Sequence, residues 1–159
     1  MGQRTSALAD RFEQASRDII SAVEGCSDAE WRAITAGERW SVGVVARHVA
    51  EGHKAIAGLI QLAATGQPLP GLTMEMLDQM NAEHARQHAN CTKAETLELL
   101  RQNAALAGGL VRGLGDDQLD RTASPLGGMP ATSVHQMIER ILIGHIKEHL
   151  ESIRVAIAR

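Results

Sequence analysis

Aromatic side chains are nearly missing from this chain, which has one Phe, two Trp and no Tyr, 2% of its residues. Strands draw on aromatic and β-branched residues, so a core built mainly from sheets is excluded. Cysteine is as scarce. Cys26 and Cys91 lie far apart and neither belongs to a C-x-x-C, which argues against a disulfide framework and a thiolate zinc site. No stretch approaches the roughly 18 apolar residues of a spanning helix. The opening MGQRTSALADRFEQ carries charges where a signal peptide needs an apolar segment. Nor is there an excess of one charge: 16 Lys+Arg face 19 Asp+Glu without long runs, so no nucleic-acid footprint is written here. Together these absences lead us to expect a cytoplasmic protein with reduced thiols, no membrane and no nucleic-acid partner.

Ala, Leu, Ile and Met fill the apolar positions, a mixture suited to helices packed at close range. The 159 residues match one domain, expected to span 1–159. From Thr5 to about Glu24, Leu8, Phe12, Ala15, Ile19 and Val23 recur at spacings of three and four, the helical period. Ser27-Asp28-Ala29-Glu30 reads as a capping box before Trp31 and predicts a short helical turn. Ser41 is placed to cap a long helix through Val45, Val49, Ile56 and Ile60, ending near Gly66. Pro68, Pro70 and Gly71 then make a loop within the domain. Met74 to about Ala89 is helical but weakly amphipathic. Thr92 to Glu95 forms another capping box, ahead of the regular seam Leu97, Leu100, Ala104, Ala107, Val111 and Leu114. After Ser124-Pro125, Gly127-Gly128 and Met129-Pro130, Thr132 or Ser133 caps the last helix. No strand-period segment of useful length and no internal repeat is found. The expected fold is therefore all-α, a four-helix bundle with short extra helical segments in its connections.

Of seven histidines, His145 and His149 stand out. At i and i+4 they project from one face, inside the arc of Val134, Ile138, Ile141 and Leu142, while Arg140, Lys147, Glu151 and Arg154 lie opposite. Each imidazole brings a polar nitrogen into an apolar stripe, and a shared divalent metal satisfies both. A third ligand must come from a facing helix. His48 shares a side with Val45, Gly52, Ile56 and Leu59 and is the better placed, with His53 the alternative. His84 and His88 have the same i, i+4 spacing, but their segment lacks an apolar seam and a solvated face is expected for them. His135 is too far from His145 along its helix to share an ion. Glu148, Glu51 and Arg47 are the candidates for supporting the ligands. His145 to His149 also matches H-x-x-E-H, but too little chain remains after it to supply the further ligand of such a peptidase.

Trp40-Ser41 opening a helix, His48 seven residues after Ser41, and His145-x-x-x-His149 on the terminal helix together resemble the DinB-like superfamily over nearly the whole chain. That superfamily includes the YfiT-like proteins and the N-terminal domain of mycothiol-dependent maleylpyruvate isomerase. The turn at Ser27 to Trp31, the stretch Leu114 to Leu119 and the entry Pro130 to Val134 look similar too. The resemblance implies a four-helix bundle whose metal, zinc or nickel, is held by His48, His145 and His149. It also implies a low-molecular-weight thiol as cosubstrate, in a transferase or isomerase acting on a small electrophile, and a homodimer. A metal-dependent hydrolase and a non-catalytic metal- or ligand-binding bundle of a stress response are the alternatives. The chain lacks the additional C-terminal domain of the isomerase, so that particular reaction is not expected.

Overall fold

The computed structural model describes residues 2–158. Helix α1 is Gln3–Glu24, α2 Asp28–Arg32, α3 Val42–Ala64, α4 Met74–Gln87 and α5 Lys93–Arg112. A 3-10 turn, Asp116–Asp120, leads to a two-residue strand β1, Thr122–Ala123, which pairs antiparallel with β2, Thr132–Ser133. The terminal helix is continuous but of mixed winding: α6, Val134–Gln136, a π turn, Met137–Ile143, and α7, Gly144–Ile157.

Local chemistry starts most of these elements. Ser27 and Glu30 form the reciprocal capping box anticipated for α2. Ser41 accepts from the Val44 amide, Thr73 from Met76, Thr92 from Glu95 and Ser133 from Gln136. Helix α1 has no capping side chain of its own. Asp116 supplies one from the far end of the chain, accepting from the Thr5 amide at 3.2 Å and its hydroxyl at 2.8 Å.

Leu8, Phe12, Ala15, Ile19 and Val23 are all buried, as their spacing requires. In the bundle α1 packs on α5 and α7, and α3 packs on the same two helices. The consecutive helices α1 and α3 therefore sit diagonally, and α3 and α7, far apart in sequence, become neighbours. That seam carries the site. Helix α4 stands apart: it has no buried residue and lies against α3 alone among the bundle helices with substantial contact.

The π turn changes which face of the last helix is inside. Its wider winding rotates the residues beyond it by roughly a third of a turn relative to a plain α-helix. Val134 is buried before it, Met137, Ile138, Leu142 and Ile143 within it, and Ile146, Leu150 and Ile153 after it, while Ile141 is only half-buried. His145 and His149 thus lie at the edge of the buried stripe rather than inside the arc expected from an unbroken helical period.

No helix among the described residues is long and apolar enough to cross a membrane. Leu100 is fully buried between α5 and its neighbours, whereas Leu106 on the same helix is 48% exposed. Leu100→Ala is expected to cost about 2–5 kcal/mol of stability and Leu106→Ala within about 0.5 kcal/mol of none, measured by urea denaturation of the two variants.

Candidate metal centre

Helix α3 presents His48 and Gly52 one above the other, at i and i+4. The missing side chain at Gly52 is what lets α7 close in: a Cβ there would stand 2.6 Å from Cε1 and 3.0 Å from Nδ1 of His145. The His145 ring therefore lies over Gly52, with its Nε2 3.0 Å from Nε2 of His48. One turn along α7, His149 joins them, its ring centroid 4.5 Å from that of His145 and 5.0 Å from that of His48. A ligand atom from each of the three lies within 4.8 Å of the others.

Burial sets the protonation of the cluster. It pulls His48 down to about 4, helped by the neighbouring His149 and His84, and lowers His145 further, helped by His149 and His48. Both rings are neutral at pH 7, so each keeps a lone pair for a cation. His149 is set differently. Its Nδ1 lies 2.7 Å from Oε2 of Glu38, a half-buried carboxylate. Burial works against the charged form of Glu38, but hydrogen bonds from His149 and Ser152 outweigh it and hold the carboxyl below its ordinary range. A carboxylate accepts only, so Nδ1 of His149 carries a proton and Nε2 is the nitrogen left to ligate.

Glu38 was not among the residues that the sequence singled out. It sits in a tight loop in which the Thr35 amide donates to the Trp40 carbonyl at 2.8 Å and the Arg39 amide to the Thr35 carbonyl at 3.1 Å. Arg39 has φ of 61°, a left-handed conformation unusual outside glycine, and this turn aims Glu38 at α7. Nothing in the sequence marks an arginine for that conformation. Trp40 from the same loop sets its ring at 5.4 Å from that of His48. Of the anticipated supporting residues, Glu148 is exposed and Arg47 pairs with Glu51 at 3.2 Å.

The remaining histidines divide. His53 is buried against Phe12, ring centroids 5.3 Å apart, with both nitrogens lacking a hydrogen-bond partner, and it is not part of the cluster. His135 lies beside Glu139 at 3.3 Å, away from the centre. His84 and His88, expected on a solvated face, instead turn towards α3: Nε2 of His84 is 3.1 Å and Nε2 of His88 3.5 Å from the Glu51 carboxylate.

The profile of the DinB superfamily matches residues 11–153, and the chain belongs to that superfamily. Among solved structures it is similar to YfiT from Bacillus subtilis, described as a probable metal-dependent hydrolase with an unusual four-helix bundle topology. The likeness has a TM-score of 0.78 at 16% identity and covers 98% of this chain and 87% of that one. It is also similar to the mycothiol-dependent maleylpyruvate isomerase, with a TM-score of 0.76, 13% identity and 96% of this chain covered, but only 63% of the isomerase chain. At these identities the likeness is one of fold. No curated protein sequence matches.

Two measurements check the electrostatics. In 15N spectra of the metal-free protein, the Nδ1 of His149 is expected to carry a proton wherever the ring is neutral, and Glu38→Gln is expected to mix its tautomers. His53, lowered from 6.5 to about 4 by burial, refuses a proton that the unfolded chain accepts. Stability should therefore fall as pH drops from about 6.5 towards 4, and denaturant midpoints of His53→Leu should fall less steeply over that window.

Proposed function

We propose that His48, His145 and His149 hold one divalent metal ion, zinc or nickel, and that the chain uses it to transfer a low-molecular-weight thiol to a small electrophile. The observation carrying the reading is three imidazoles brought together at the α3–α7 seam, with Nδ1 of His145 buried and without a partner. Such an arrangement leaves polar atoms unsatisfied unless a cation collects their lone pairs. Ligands on a tetrahedral zinc stand about 3.3 Å apart, so donor atoms already within 4.8 Å need only small ring rotations to close.

The ion supplies one thing, a lowered pKa for a coordinated thiol or water and hence a nucleophile at neutral pH. The protein supplies the rest. Three neutral ligands leave the full charge of the ion uncompensated by its ligands, which favours an anionic fourth partner. Glu38 fixes the tautomer of His149 and raises its basicity, the role that carboxylates behind ligating histidines commonly play. Trp40 covers one side of His48 and limits water there.

A second reading, hydrolysis by a water in the same position, is favoured by the likeness to YfiT, itself described as a probable metal-dependent hydrolase. The likeness to a mycothiol-dependent enzyme favours the thiol. Protein reconstituted with zinc, nickel or cobalt is to be assayed for consumption of glutathione or mycothiol with an activated electrophile, and for hydrolysis of an activated ester without thiol. We expect metal- and thiol-dependent turnover that falls at least about 100-fold in His48→Ala with circular dichroism unchanged. Turnover without thiol would move the assignment to hydrolysis, and failure of wild-type protein to retain any ion would overturn both readings.

A further inference from the structure

Beside the histidine triad a second set of metal-ligating side chains is assembled, and it has a different composition. Glu51 is three residues after His48 on α3 and so sits on nearly the same side, one turn along. His84 and His88, four apart on α4, share the face of that helix that turns to α3, with ring centroids 4.7 Å apart. One ligand atom from each of Glu51, His84 and His88 lies within 4.8 Å of the other two.

Three independent features distinguish this cluster from an ordinary surface ion pair. First, the His84 side chain is 10% exposed, and neither of its ring nitrogens makes a well-aligned hydrogen bond despite the Glu51 oxygen 3.1 Å away. A buried imidazole without an aligned partner is an unsettled group. Second, α4 buries no residue completely, and Leu77 and Ala85 are its only half-buried apolar residues, so little apolar packing holds its seat on α3. The polar cluster is the attachment. Third, a cavity of about 490 Å³ opens onto the group and is lined by Glu51, His84, His88, Met76 and Met80, giving an ion or ligand a route in.

We infer that Glu51, His84 and His88 form a second divalent-cation site that fastens α4 to α3 alongside the first. Two imidazoles and one carboxylate are a ligand set that zinc accepts with a position to spare. The competitor for Glu51 is Arg47, whose Nε stands 3.2 Å from one Glu51 oxygen. That contact is a partly exposed i, i+4 pair, the weak kind, and Arg47 yields by swinging into solvent. The two sites adjoin: the His48 and His84 rings are 5.5 Å apart, and Trp40 borders both.

The test counts ions. Full-length wild type, His48→Ala/His145→Ala and His84→Ala/His88→Ala are stripped with chelator, titrated with zinc by calorimetry, and desalted for elemental analysis. Circular dichroism checks the fold of each. We expect about two equivalents bound by wild type and one by each double variant. Hydrogen exchange should also show zinc protecting α4 in His48→Ala/His145→Ala and not in His84→Ala/His88→Ala. The proposal fails if His84→Ala/His88→Ala binds as many equivalents as wild type with unchanged affinity, or if the site it removes is weaker than about 100 µM. A wild type with one equivalent, lost only in His84→Ala/His88→Ala, would support this site while overturning the assignment of the triad, so the two readings fail separately.

Discussion

The close approach of α3 and α7 at Gly52 is the constraint on which the site depends. Two helices far apart in sequence meet there because the diagonal placement of α1 and α3 leaves α7 as the neighbour of α3. Contact is tight enough that the His145 ring occupies the space of a side chain that Gly52 does not have. With a larger residue at this position the ring would be pushed off the seam and its Nε2 would leave that of His48. Glycine in a helix interior is unfavourable by up to about 1 kcal/mol relative to alanine. The packing of the His145 ring into the vacated volume is a physical reason for it to be there.

Bringing imidazoles to that seam has an electrostatic consequence. Burial removes water from His48 and His145 and makes their charged forms unfavourable, so the rings arrive neutral rather than charged and mutually repelling. The third ring is held by a different device, a carboxylate from a loop. Glu38 keeps one proton on Nδ1 of His149 and thereby decides which nitrogen faces the cluster. Desolvation alone would leave the tautomer of that ring open. The left-handed Arg39 is the backbone feature that puts Glu38 there, an instance of local strain located where the chemistry is set.

Much of this was legible in the sequence, and the remainder was hidden for definite reasons. Helical periodicity and capping chemistry are local, so α1, α2, α3 and α5 and their starts could be read from spacing and from Ser27, Ser41 and Thr92. Facing arguments favoured His48 over His53 without excluding the latter, and the resemblance to a superfamily decided between them. The π turn escaped because a period of 3.6 was carried unbroken through Met137–Ile143, and the widened turn shifts every later residue around the axis. Glu38 escaped because a loop has no period. The position of α4 escaped for the opposite reason: its faces were judged by hydrophobicity, and the face that docks is polar.

The polar docking face of α4 connects the two clusters through charge. Glu51 and His48 stand one turn apart on α3, so the histidine triad and the Glu51 group are parts of one polar surface running along that helix. Divalent ions in both proposed sites would repel strongly in a partly dry environment, and anionic groups close at hand would offset the repulsion. The chain provides one on each side. Glu38 stands behind His149 and Glu51 among His84 and His88, so each cluster has a carboxylate close at hand. A surface with the triad alone would gain no local compensation from Glu51, and one with Glu51 alone would present its charge to Arg47 and solvent. Trp40 lies between the two clusters, its ring 5.4 Å from that of His48 and 6.3 Å from that of His84, so α3, α4 and the loop before α3 all meet at this surface.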